Sequence, residues 1–226
     1  MISIHPAFDR VLGGGLLPGV LTHVYGTPSS GKTNFALMAA AAASKEGRVV
    51  YVDPEGGFST ERLKQITSQD FNEVLSKILL IEPTSFDEQK VAISKADEIV
   101  AKGGVSLLIV DSIALLYRIL EDKDIREFGR MLAQLLRIAR KHDIPVLMIN
   151  QVYTDIDSGK ITPVGGSINE YWSKIMLETG VLENGARFLV LRKHLHAKEG
   201  ARLDYQITAD GIKPVRHSIE LATRSV

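Results

Sequence analysis

Hydrophobic positions in this chain fall into two kinds of segment that alternate along it. Val20-Leu21-Thr22-His23-Val24-Tyr25, Arg48-Val49-Val50-Tyr51-Val52-Asp53, Ile78-Leu79-Leu80-Ile81, Ser106-Leu107-Leu108-Ile109-Val110-Asp111 and Pro145-Val146-Leu147-Met148-Ile149-Asn150-Gln151 are short and nearly continuously apolar. Runs of this length are too short for buried helices. Their continuous pattern suits strands covered on both faces of a parallel sheet. Between them lie helical signals. Asn34 to Ala43 is a helix-like apolar run, and Ser59 can cap a helix reaching about Gln69. Ser85-Phe86-Asp87-Glu88 reads as a capping box opening a helix to about Lys102, stopped by Gly103-Gly104. From Asp122 to His142, apolar residues recur at Ile125, Phe128, Leu132, Leu135, Leu136 and Ala139. That is helical spacing, and it leaves Arg126, Arg130, Arg137 and Arg140 mostly on a solvated face.

The pattern changes at both ends. Residues 1–20 hold a turn or two of helix at His5 to Leu12, then the loop Gly13-Gly14-Gly15-Leu16-Leu17-Pro18-Gly19. Beyond Gln151, Thr154 to Glu170 is polar, contains Gly159, Gly165 and Gly166, and reads as a loop. Strand-like runs follow at Lys174–Glu178, Arg187–Arg192 and Leu203–Thr208, with Asn184-Gly185 as a hairpin turn. The expected architecture is one α/β domain over 1–226. Its mostly parallel, twisted sheet carries helices on both faces and a C-terminal antiparallel hairpin extension, and a disordered tail covers 216–226.

Composition narrows the function classes. At 226 residues and 45% hydrophobic, the chain suits one large globular domain. No apolar run reaches membrane-spanning length and there is no secretory leader. With no cysteine, disulfides and thiolate metal sites are excluded. The expectation is a soluble cytoplasmic protein without a membrane partner. Basic and acidic residues balance at 27 each, so any nucleic-acid site must be a local patch.

The chemistry centres on Gly26-Thr27-Pro28-Ser29-Ser30-Gly31-Lys32-Thr33, which matches G-x-x-x-x-G-K-[ST] between a strand signal and a helix signal. Such a loop turns successive backbone N–H groups toward one point, where the helix dipole also favours an anion. Lys32 is expected on the β- and γ-phosphates of ATP, and the Thr33 hydroxyl on Mg2+. Asp111 ends the most apolar strand and is the expected second Mg2+ holder, directly or through water. Glu55, just past the strand ending at Asp53, is the candidate general base. Gln151 ends another strand on the same edge and can sense the γ-phosphate. No nucleophile–histidine–acid triad is readable, and His142, His194, His196 and His217 lack metal spacing.

Taken in order, Leu12-Gly13-Gly14-Gly15, Gly19-Val20-Leu21-Thr22, the phosphate loop, Val52 to Arg62, Leu108-Ile109-Val110-Asp111-Ser112, Ile149-Asn150-Gln151-Val152, Pro163-Val164-Gly165-Gly166 and His196-Ala197-Lys198-Glu199-Gly200 resemble the ATPase core of RecA/RadA-type DNA recombinases. The resemblance runs from about residue 3 to 215. It implies a RecA-like P-loop ATPase fold, with Glu55 as catalytic Glu, Gln151 as nucleotide-sensing Gln, Arg62 stacking on adenine, and 152–169 as DNA-facing loops. The full recombinases add an N-terminal DNA-binding domain and a linker. Here the core starts almost at Met1, and Val152-Tyr153-Thr154-Asp155 carries acid in place of the usual base. That pattern is most similar to the archaeal RadB-type paralogues. It implies DNA repair and recombination, weak ATP turnover, and as partners single-stranded DNA bound weakly, the main recombinase or other repair proteins, and homo-oligomers as an option.

Two other readings compete. One is a KaiC-like signalling ATPase, which typically has paired glutamates after the second strand where this chain has Glu55-Gly56-Gly57-Phe58. The other is an adaptor that holds ATP without turnover. For DNA, Tyr153 is the aromatic placed to stack on a base, and Arg192 and Lys193 form the densest basic cluster. Arg187 to Arg216 holds seven basic and three acidic residues. The alternative for that cluster is a solvated hairpin end or a contact to a neighbouring subunit's nucleotide.

Overall fold

The computed structural model describes residues 1–67, 70–154 and 161–215. Its strands are β1 (Leu21–Gly26), β2 (Arg48–Val52), β3 (Ile78–Ile81), β4 (Val105–Asp111), β5 (Val146–Asn150), β6 (Val152–Thr154), β7 (Ile161–Pro163), β8 (Ile175–Val181), β9 (Arg187–Lys193), β10 (Arg202–Thr208) and β11 (Gly211–Pro214). The helices are α1 (Pro6–Leu12), α2 (Lys32–Ala43), α3 (Thr60–Thr67), α4 (Phe71–Ser76), α5 (Phe86–Ala101), α6 (Leu115–Arg118), α7 (Ile125–His142) and α8 (Ser167–Trp172). One nine-stranded sheet has the order β11-β10-β9-β8-β1-β5-β4-β2-β3, and β6 and β7 form a separate two-stranded hairpin. From β8 to β3 all neighbours are parallel. From β8 to β11 they are antiparallel.

The continuous apolar runs are explained by a core on each side of the sheet. Val49, Tyr51, Leu107, Ile109, Leu147 and Ile149 face one core, shared with α1 and α2. Val50, Val52, Leu108, Val110, Val146 and Met148 face the other, shared with α5, α6 and α7. β1 and β5 are therefore buried at every position, and β2 and β4 at all but Arg48 and Ser106, as the two-residue side-chain period requires when both faces are covered. α2 is buried on nearly all sides, and its alanines let it sit close to the sheet. α7 instead buries one stripe and starts at Asp124, whose Oδ1 accepts from the Arg126 N–H at 2.9 Å.

Several boundaries differ from the sequence expectation. The stretch from Thr154 to Glu170 contains β7 and the start of α8. Asn169 Nδ2 donates to the Val164 carbonyl at 2.8 Å, and Asn150 Nδ2 donates to the same oxygen at 2.9 Å. These long-range bonds hold a segment with no hydrophobic period of its own. The first C-terminal strand runs on to Val181 because it pairs with β9 as far as Arg187. α4, α6 and β11 were also absent from the expectation, and each is only four to six residues long. In the expected capping box, Ser85 Oγ accepts from the Glu88 N–H at 3.2 Å, but the Glu88 carboxylate turns to the Thr84 N–H at 2.7 Å. Expectations for Gln69, Asp155, Gly159 and the tail 216–226 lie outside the described residues.

His23 on β1 is fully buried, and neither ring nitrogen has a hydrogen-bond partner among the described residues. Burial drives its pKa from 6.5 down to about 3. The neutral ring is native, so stability is full above pH 6.5 and falls as pH drops from 6.5 toward 3, because the unfolded chain binds the proton first. At pH 5 the loss attributable to His23 should be about 2 kcal/mol, from roughly 1.4 kcal/mol per pKa unit. Urea unfolding of the wild type and His23→Leu at pH 7.5 and pH 5 measures it. The wild type should lose more stability than the variant, and equal losses refute the assignment.

Candidate nucleotide-binding site

The carboxyl ends of β1, β2, β4 and β5 open into a cavity of about 600 Å3 lined by the phosphate loop, Glu55, Asp111, Arg118, Gln151 and Arg187. The two fixed glycines of the loop are required for different reasons. A Cβ on Gly26 would lie 1.8 Å from the Thr179 carbonyl oxygen, so β8 can pair there only with a glycine. Gly31 caps α2 at φ +91°, where a side chain would be strained and would also crowd Tyr205 and Ile207. Ser29 has φ 60°, and this left-handed step curls the loop over the start of α2. The loop is braced from β8, where the Thr179 hydroxyl donates to the Ser30 carbonyl at 3.0 Å.

Lys32 folds back inside the loop and donates to the carbonyls of Gly26 at 3.0 Å and Thr27 at 2.8 Å. Burial lowers its pKa, and the carboxylates of Asp111 and Glu55 oppose that shift. Asp111 is 2% exposed. Burial pushes its carboxyl up to about 6, against hydrogen bonds from Tyr51 and Thr33, with Asp53 and Glu55 adding repulsion. The Tyr51 hydroxyl donates to Asp111 Oδ2 at 2.9 Å from a fully buried position. A buried carboxylate, a threonine hydroxyl and nearby acids form an all-oxygen, electron-rich set. That set fits a hard divalent cation such as Mg2+.

Glu55 is placed by Asp53. The Asp53 carboxylate accepts from the backbone N–H groups of Glu55 at 3.2 Å, Gly57 at 3.1 Å and Phe58 at 2.7 Å. These bonds wrap the chain after β2 into a tight loop that turns Glu55 into the cavity. Gln151 Nε2 donates to Glu55 Oε1 at 3.3 Å. Arg118 Nη1 donates to Gln151 Oε1 at 3.0 Å, and the Arg118 guanidinium lies 5.3 Å from the Tyr153 ring centroid. A continuous polar path thus runs from Glu55 through Gln151 and Arg118 to the exposed aromatic of the β6–β7 hairpin.

Among the sequence-predicted site residues, Gly26 to Thr33, Glu55, Asp111 and Gln151 come together around this cavity. Arg62 does not line it. Its guanidinium clamps α3 to the β10–β11 turn by donating to the carbonyls of Thr208 at 2.7 Å, Ala209 at 2.9 Å and Gly211 at 3.0 Å. Its Nε donates to Asn34 Oδ1 at 2.8 Å, and Asn34 does line the cavity. Arg192 and Lys193 do not form a free basic cluster. Arg192 is paired with Glu178 at 2.7 Å, and Lys193 donates to the Glu170 carbonyl. Sequence reasoning missed Arg118, Asn34 and Tyr51. It noted Arg187 only as part of a basic stretch, although Arg187 reaches the Ser29 carbonyl. The one usable signal for Arg118 was its place seven residues after Asp111.

The family model described as Rad51 matches residues 4–214. A protein of Methanosphaera stadtmanae named "DNA repair and recombination protein RadB" is 38% identical over 221 residues, covering 94% of this chain and 95% of its own length. The protein of the same name from Methanoculleus marisnigri is 40% identical over 215 residues, covering 92% and 95%. A solved structure titled "Crystal structure of the RadB recombinase" superposes with a TM-score of 0.84 at 40% identity, covering 96% of this chain and all of that one. The family model spans most of the chain and the fold superposes on that structure, and the chain belongs to the Rad51 family.

Proposed function

We propose that this chain is a DNA repair and recombination ATPase that binds ATP with Mg2+, hydrolyses it weakly, binds single-stranded DNA and assists a main recombinase inside the cell. The names of its relatives support the DNA role. The observation that carries the reading is the path Glu55–Gln151–Arg118–Tyr153, because it joins the hydrolysis machinery to a surface hairpin.

In this reading the N–H groups of the loop receive the polyphosphate, and Lys32 exchanges its two carbonyl partners for β- and γ-phosphate oxygens. Thr33 and Asp111 would hold Mg2+, which neutralises charge on those phosphates. Glu55 orients a water and takes its proton. Arg118 and Gln151 hold Glu55 in place, and a γ-phosphate competing for the Gln151 amide would release the hairpin. Asn34 and Ile207 border the end of the cavity next to Arg62, which suits adenine there. Tyr153 offers an exposed ring for a base, and this reading does not need Arg192 or Lys193.

Lys32→Ala should weaken ATP binding by about 2–4 kcal/mol, the loss expected when one member of a buried charge contact is removed. Equilibrium titration with a fluorescent ATP analogue tests this, and near-wild-type affinity would count against the site. Glu55→Gln should keep ATP affinity within about tenfold while turnover falls roughly 100-fold or more, because water activation matters only in the transition state. Single-turnover hydrolysis with and without single-stranded DNA is the measurement. Binding without turnover in the wild type would replace the ATPase by an ATP-holding adaptor.

A further inference from the structure

Outside the cavity, α7 carries a stripe of cations. Arg130, Arg137, Arg140 and Lys141 are all exposed, and their spacing keeps them within roughly 100° of the helix circumference at 100° per residue. Asp97 on α5 accepts from Arg137 at 2.7 Å and also pairs with His142 at 3.1 Å. Arg130, Arg140 and Lys141 make no ion pair or side-chain hydrogen bond among the described residues. The helix dipole accounts for basic residues in the last turn, but not for Arg130 nearly three turns earlier in the same stripe.

Beside this stripe, α8 packs on α7 and leaves a groove of about 440 Å3. Ala133 and Leu136 line its apolar part, Trp172 stands along it, and Arg137, Arg140 and Lys141 supply the charge. Gly129 lets α8 approach this closely: a Cβ there would meet Ile168 Cδ1 at 2.7 Å. The groove is far from the nucleotide. α7 ends just before β5 begins, and α8 ends just before β8 begins. Both therefore meet amino ends of strands, whereas the cavity opens at the carboxyl ends of β1, β2, β4 and β5.

We propose that this groove is a second single-stranded nucleic-acid site, separate from the β6–β7 hairpin. A base would lie against Trp172, with successive backbone phosphates on Arg140 and Lys141, unpaired among the described residues. Guanidinium groups match phosphate oxygens in pairs, and an indole ring stacks on a base of any identity. The combination selects a strand with free bases over a duplex, whose bases are already stacked and paired. An acidic protein segment would use the cations but has no need of the indole wall. The site depends on neither Lys32 nor Glu55, so it stands or falls separately from the ATPase reading.

Trp172 is the only tryptophan in the chain, so its fluorescence reports directly on the groove. Titration with oligo(dT) at several salt concentrations should quench it, with affinity falling steeply as salt rises. The double variant Arg140→Ala, Lys141→Ala retains the fluorophore and changes only exposed side chains. It should bind at least about tenfold more weakly, and its log–log salt slope should be shallower by about 1.4, at roughly 0.7 per phosphate contact on single strands. The charge-matched control Lys64→Ala, Lys102→Ala should leave the Trp172 signal as in the wild type. Three results overturn the proposal: labelled oligo(dT) binding by anisotropy while Trp172 is unchanged, an unaltered double variant, or equal quenching by poly-glutamate at the same salt, which would make the groove a site for acidic protein.

Discussion

The arrangement of the site depends on one buried carboxylate. Asp111 sits almost dry at the end of β4, and a charge there is costly unless something compensates it. Its partners come from three directions. The Tyr51 hydroxyl arrives from β2, Thr33 from the first turn of α2, and the positive field of Lys32 from the loop. The sheet order places β4 beside β2 on one side and beside β5 on the other, so β1 and its loop lie one strand further along. The compensation is incomplete, which leaves Asp111 with a raised pKa.

The same economy of contacts links the cavity to the surface. Asp53 spends its oxygens on three backbone N–H groups, and the loop it forms leaves Glu55 free for Gln151. Gln151 in turn bonds Arg118, whose guanidinium rests near the Tyr153 ring. Each contact is weak alone and exposed to solvent at its outer end. A ligand that displaces any one of them can therefore move the hairpin at modest cost, which is what the proposed role of Gln151 requires.

α7 shows how one helix serves two surfaces. Its apolar stripe of Phe128, Met131, Leu132, Leu135, Ile138 and Ala139 anchors it on the sheet, while the opposite face carries arginines. The sequence reading treats those arginines as a solvated face, and for Arg126, paired with Asp124, that holds. The packing of α8 changes the meaning of the others by setting a tryptophan and a groove beside them.

The sequence by itself determined what depends on neighbours along the chain. Continuous apolar runs meant doubly covered strands, helical spacing meant α7, and the phosphate-loop pattern placed Gly31, Lys32 and Thr33 because positive φ and a helix start are local properties. Asp111 was legible because it ended a strand, and Glu55 and Gln151 because they followed one. Only the tertiary structure decided the rest. α4, α6, α8 and β11 are too short to carry a period and are held by long-range contacts such as the packing of α8 on α7. Arg118 and Asn34 reach the cavity, and Arg192 is engaged by Glu178, through pairings between residues up to tens of positions apart. No local pattern records such a pairing, because it is set by which strand ends the sheet order brings together.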